Sequence, residues 1–423
     1  MIIQAVIGWS ILAISLIFGS TFLGSDMLFF RLIMGLSLGY VLSRSYMGFA
    51  GTVNRAYKTG STKLMRALML MLFATAVLNA GLLFNGLTNY NLWINPINTG
   101  LMLGGLLFGF GMSLSVCCAS GVLTDLAADL PRAFITLFFF MLGVFLGFPI
   151  QKTASFVRES WFNTPTGKIM DTGTGVYLPD LFGGQTVSAY LFAIALTGVF
   201  CLIVVWFSFK YENKRKAELS YNAIPTEEVK SEEYGSLKYS SFFSKEMYHY
   251  LFIKPWNLKV GVIIITIIVA VMMAVTKEGW GASTPYGWWF GKLLTVVGIS
   301  PDAIAEFTHW PTKVFTMPFF SHPINVQNFA IMLGALIFML QSGQFKMSFQ
   351  SSLNISWKSA LLFALGGLAM GFGTRLANGC NVGALYTPIA NLSLSGWVFA
   401  IFMTIGAIFG NKFNGKIAPS CSY

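Results

Sequence analysis

Apolar residues recur along this chain in blocks at about residues 2–23, 28–50, 64–84, 97–123, 133–150, 187–209, 257–275, 324–341, 358–376 and 395–410. A bilayer's hydrocarbon core takes roughly 20 residues of helix, so the blocks predict about ten crossings and an all-α polytopic membrane protein. The first block, MIIQAVIGWSILAISLIFGSTFL, has no basic flank before it and is longer than a signal-peptide core, which predicts a retained span. Several blocks carry Gly, Ser, Asn or Arg at their centres, where a lipid-facing helix would be most apolar. Those interruptions hold the chemical information.

The polar stretches set the expected organisation. The longest, 210–256, opens KYENKRKAEL and runs through EEVKSEEYG. Its mixed charge predicts a linker between a first membrane half, 1–209, and a second, 257–423. Lys210, Lys214, Arg215 and Lys216 directly follow one span, and Arg55, Lys58, Lys63 and Arg66 separate two others, which places both segments in the cytoplasm. Segments 151–186 and 277–323 are balanced in charge and hold Trp161, Trp280, Trp288, Trp289 and Trp310, as expected of interfacial loops on the outer face. Composition agrees, with 55% hydrophobic and 10% charged residues, against roughly 25% charged in soluble proteins. The net charge of +11 then belongs to basic membrane flanks, and no nucleic-acid surface is expected.

Two apolar blocks are copies of each other. GGLLFGFGMSLSVCCASGVL (104–123) aligns without gaps on GGLAMGFGTRLANGCNVGAL (366–385), with 10 identities in 20. Five glycines match, and Cys118 falls on Cys380. Four expected crossings separate the copies, so they should traverse in opposite directions. That is the signature of an inverted repeat, with a substrate site near the bilayer midplane. The upstream segments MGLSLGYVLSRSYMGFAG (34–51) and LGALIFMLQSGQFKMSF (333–349) look like a further pair, yet the same count gives them one direction. Either they are not partners or one of them re-enters.

Each copy reads as apolar helix, glycine-rich break, cysteine and short second helix. Backbone freed at membrane depth must be satisfied by protein or by a watery cavity, so a break marks a pathway. A half-helix beginning beside each cysteine turns about half a positive charge towards it, which implies an anionic cargo. A thiol is a small, soft, weak donor suited to a polarisable sulfur or selenium anion, whereas a thiolate would repel it. Cys118 and Cys380 are therefore expected to act as neutral S–H donors. One buried cysteine more often simply packs; the repetition inside matched glycines favours function. The expected substrate-binding set is Cys118 and Cys380 with Gly111, Gly121, Gly373, Gly379, Asn381 and Gly383 of the breaks. Arg375, in GTRLANGC, would be costly in lipid and could draw a divalent anion inward, the alternative being snorkelling to a headgroup. Arg44 and Lys346 join the set, although both also fit the cytoplasmic edge. Asp125, Asp129 and Arg132 read as a helix-end charge cluster more than as a proton relay.

Enzyme signals are poor. Cys117, Cys118, Cys201, Cys380 and Cys421 form an odd set without zinc spacing, so neither a disulfide framework nor a metal site is expected. His249, His309 and His322 fall in no HExxH pattern, Glu306 and His309 fit an interfacial helix, and the GFG and GTG fragments lack a P-loop's Lys-Ser/Thr. Twenty scattered methionines are explained by packing. No cofactor is expected.

The stretches GFGTRLANGCNVGALYTPIANLSLSGW (371–397), GFGMSLSVCCASG (109–121) and, more loosely, LGYVLSRSYMGFAG (38–51) resemble the YeeE/YedE sulfur-transport family, whose bacterial members include thiosulfate importers. The resemblance covers both membrane halves but neither the linker nor 277–323. It implies an hourglass-like fold of inverted repeats in a bacterial inner membrane, with short helices meeting at a constriction where thiosulfate passes between cysteine thiols. Cys118 and Cys380 match the two inner cysteines. The family's third, in a pattern like RSxxCFAG, falls on Gly48 in RSYMGFAG, and Cys117 stands where the family more often has glycine. The departure leaves another sulfur or selenium species open beside thiosulfate. A cytoplasmic sulfur-carrier protein is a candidate partner. The rival class is a membrane thiol redox enzyme working through a persulfide or disulfide; the absence of Cys-x-x-Cys ranks it below transport.

Overall fold

The computed structural model describes residues 2–417 apart from 85, 170–174, 225–226 and 228–244; Cys421 and most of the linker lie outside the described residues. Its principal helices are α1 (Ile2–Leu23), α2 (Asp26–Arg44), α3 (Phe49–Thr59), α4 (Lys63–Leu83), α5 (Thr99–Ser115), α6 (Gly121–Ala128), α7 (Leu130–Thr153), α8 (Val187–Ala217), α9 (Leu258–Thr276), α10 (Thr284–Val296), α11 (Pro323–Gln341), α12 (Phe345–Ser352), α13 (Trp357–Leu376) and α14 (Ser395–Ile417). Pairing between extended segments is confined to isolated bridges among the described residues. Every apolar block is a helix. Nine helical segments are long and apolar enough to cross a membrane among the described residues, and α5, at 17 residues, is the tenth block. The protein is thus an all-α, multi-pass membrane protein. Polar residues start its helices where the sequence turns apolar: Asn98 caps α5, Thr186 caps α8 and Ser356 caps α13, each side chain accepting a backbone N–H.

The two ends of the bundle differ in chemistry. At the basic end Glu212 pairs with Arg66 (2.8 Å) and Lys216 (2.7 Å), while Arg215 donates to the Tyr57 carbonyl (2.8 Å). The linker residue Glu227 reaches back there to Arg55 (2.8 Å). At the aromatic end Trp310 packs edge-on to Phe148, with Lys152 over its ring.

The repeat is visible in how its helices cross. A side chain at Gly104 would strike the Gly373 carbonyl and one at Gly373 the Gly104 carbonyl; Gly111 and Gly366 oppose each other in the same reciprocal way. Low-numbered residues of α5 therefore face high-numbered residues of α13, so the two helices run antiparallel, as expected of inverted copies. Only glycine lets the backbones come this close. The helices after each break exchange partners: α7 packs along α13 and α14 along α5. By contrast, Gly39 opposes Ile331 and Gly334 opposes Leu36, and Arg31 bonds Gln327 while Tyr40 stacks on Phe338. Residue numbers rise together, so α2 and α11 are parallel and lie outside the inversion. That settles the direction conflict in favour of their not being inverted partners.

One expectation needs correction. The 277–323 stretch is not simply an interfacial loop. Trp280 is fully buried, with Phe49 and Tyr386 around it, and Trp288 is buried too. Gly279 and Gly281 explain the entry: their Cβ positions are taken by Thr387 and by the Trp93 ring, so only glycine lets the segment pass between them.

Candidate functional site

Helix α5 stops at Val116, which adopts a left-handed backbone with φ 60°. A β-branched residue is strained there. At the matched position of the second copy, Asn378 follows α13 with φ 55°. Both copies thus break by the same backbone move, two residues before the paired cysteine.

After its break the first copy turns through Cys117 and Cys118 and re-enters helix at Gly121. The Cys118 sulfur lies 3.3 Å from the Gly121 N–H and 3.5 Å from the Ser120 hydroxyl, and the Ala50 N–H also reaches it. Gly121 opens α6 and Ala50 lies in the first turn of α3, so two helix N-termini meet on one buried sulfur. In the second copy Cys380 is fully buried and leads into a π-helical turn, Asn381–Tyr386. Gly379 and Gly383 are pressed together, leaving 2.5 Å between the Cβ position of one and the backbone of the other. The Asn381 amide reaches the Met112 sulfur at 3.5 Å, and its Oδ1 has no partner among the described residues. Trp93, itself left-handed with φ 53°, lays its ring against Gly383 from the aromatic end.

Although 262 residues apart, Cys118 and Cys380 come close enough to interact electrostatically. Tyr286 interacts with both and with Cys117, and its hydroxyl donates to the Ala119 carbonyl at 2.8 Å. It belongs to α10, whose first residues hold the other charge of the site. Arg375 is 1% exposed and donates to Ser283 (2.8 Å), Thr284 (3.1 Å), Thr374 (3.1 Å) and Gln151 (3.4 Å). All four acceptors are neutral, and no carboxylate pairs with Arg375 among the described residues. A buried guanidinium without a counter-charge is expensive, and a bound anion would relieve it.

A cavity of about 740 Å³ leads from the basic end to this place, walled by Asn54, Arg55, Asp125 and Asn414 and reaching Cys117 and Cys118. Arg132 on its wall is held by Asp125 (3.1 Å) and Asp129 (2.6 Å), the expected charge cluster. Cys380 lies outside the cavity wall, fully buried. Gly48 lines the cavity, and a side chain there would meet nothing within 4 Å. The remaining candidates fall elsewhere. Gly121 is on the cavity wall, while Gly111 and Gly373 serve the crossing of α5 with α13. Arg44 is buried, donating to the carbonyls of Lys254 and Tyr250 and stacking on Trp256, which fastens the linker's end to α2. Lys346 is exposed on α12, two residues from Ser348 on the cavity wall.

Sequence reasoning missed Ser283, Thr284 and Tyr286. The signal was available: SerThrPro is a helix start with proline in its first turn, but a helix of 13 residues is too short to count as a span.

Comparison with known proteins bears on this arrangement. A family described as sulphur transport matches residues 44–409. Thiosulfate transporter TsuA of Escherichia coli (strain K12) is 24% identical over 384 residues, covering 90% of this chain and 93% of the relative. Thiosulfate transporter TsuA of Spirochaeta thermophila is 24% identical over 391 residues, covering 90% and 97%. The probable transporter YedE of Escherichia coli (strain K12) is 27% identical over 165 residues, 39% of each chain.

Proposed function

The chain belongs to the sulphur-transport family, and from that premise we propose that it takes up thiosulfate, or a close sulfur or selenium analogue, across a bacterial inner membrane between the thiols of Cys118 and Cys380. The observation that carries this reading is the meeting of the two repeated thiols, one on the wall of a cavity and the other in the protein interior. By the positive-inside rule the basic end is cytoplasmic, so the cavity faces inward. Arg375 attracts the dianion from the aromatic side. Cys380 and then Cys118 donate S–H to it in turn, and the cavity releases it. Hydrogen bonds to a charged group contribute about 1.5–3 kcal/mol each. Two in sequence hold the anion without trapping it, and the soft terminal sulfur of thiosulfate suits a thiol better than a hard phosphate oxygen does. Family membership supports transport over thiol redox catalysis. The 210–256 linker joins the two membrane halves on the cytoplasmic side, where a sulfur-carrier protein could receive the cargo.

Proteoliposomes holding the purified chain test this reading. Radiolabelled thiosulfate should enter saturably, with unlabelled thiosulfate competing and phosphate competing poorly. Entry no faster than into empty vesicles would remove the proposal.

A further inference from the structure

Beside the thiols, at the basic end, four buried polar side chains enclose a spot that the anion pathway does not use. Asn54 of α3, Ser113 of α5, and Asn411 and Asn414 of α14 are each no more than 3% exposed. Their donors are spent: Asn411 Nδ2 donates to Asn54 Oδ1 (2.8 Å) and to the Ala407 carbonyl (2.9 Å), Asn54 Nδ2 to the Met112 carbonyl (3.3 Å), and Asn414 Nδ2 to the Ser113 carbonyl (3.3 Å). Their acceptors are not. The Oδ1 atoms of Asn411 and Asn414, one helical turn apart on the same face, have no partner among the described residues. A group that completes this site must therefore be electron-poor. The backbone adds the same sign, because the site lies in the last turns of both α5 and α14, where helix carbonyls present partial negative charge.

We propose that Asn54, Ser113, Asn411 and Asn414 form a binding site for a monovalent hard cation, with sodium as the ion to test. The ligand set is neutral oxygen throughout, which suits a single positive charge better than calcium or a soft metal. Discontinuous-helix C-termini are a recurrent place for coupling ions in transporters. Asn54 and Asn414 also line the cavity that reaches Cys118, so cation and anion share one compartment. This role rests on the transport reading above: a dianion moving inward works against an inside-negative potential, and a cation bound in the same cavity offsets part of that work.

The test needs no sulfur anion, so it fails or succeeds separately from thiosulfate transport. Binding of ²²Na⁺ to the purified full chain in detergent is measured by scintillation proximity, with gel filtration confirming a folded particle. Saturable binding is expected. Asn411→Leu and Asn414→Leu, close in shape but without the oxygen, should each weaken it at least about tenfold, and Asn414→Asp should retain it. No saturable binding by the folded wild-type chain, or equal binding by both leucine variants, would overturn the proposal and assign the oxygens to water.

Discussion

Replacing Cys380 by alanine should lower the initial rate of thiosulfate uptake about 10- to 100-fold, the range expected when a hydrogen bond to a charged group is lost at a constriction. Cys118→Ala should do the same. The two losses should not simply multiply, because each thiol serves one step of a single passage and the slower step sets the rate. Cys201→Ala is the control: Cys201 sits on α8, away from both breaks, and its replacement should leave uptake unchanged. Uptake into vesicles at low thiosulfate concentration is the measurement, and unchanged rates in both inner-cysteine variants would remove the thiols from the pathway.

The second large effect is expected at Arg375, with opposite signs for folding and for transport. Its guanidinium is buried among Ser283, Thr284, Thr374 and Gln151 without a carboxylate partner among the described residues. Exchanging a buried charge for an apolar side chain of similar length is often neutral or stabilising by about 1–4 kcal/mol. Arg375→Met should therefore melt in detergent no lower than the wild-type chain, yet take up thiosulfate roughly 100-fold more slowly, since a charge-assisted contact to a dianion is lost. Arg375→Lys keeps the charge but not the planar fork that reaches four neutral oxygens, and should recover transport only in part. A methionine variant that is destabilised yet transports normally would make Arg375 a packing residue.

Much of this was legible in the sequence because membrane helices obey a strong rule: apolar length predicts a span, and every block became a helix. The repeat was legible because the crossing of α5 with α13 needs glycine at contact positions in both copies, so Gly104, Gly111, Gly366 and Gly373 cannot drift independently. The same glycines misled in detail, since a conserved-looking Gly111 or Gly373 serves helix packing and not a pathway wall. Periodicity also could not say that α2 and α11 run parallel; that follows from where α1 and the linker bring the chain back across the membrane. The largest omission was α10. A short helix that enters from one side is indistinguishable from an interfacial helix by composition, and only the contacts of Ser283, Thr284 and Tyr286 with Arg375 and Ala119 reveal its place at the site. Arg44 illustrates the converse: a charge in a suggestive motif turns out to anchor the linker's end through backbone carbonyls.

The central claim is that the anion sits between the two thiols, and anomalous diffraction tests it most directly. Crystals of the wild-type chain soaked in selenosulfate, the heavier analogue of thiosulfate, should show a selenium peak in van der Waals contact with the Cys118 or Cys380 sulfur, absent from the double alanine variant. A saturating soak whose selenium appears only at surface lysines, or appears equally in the variant, would contradict the account.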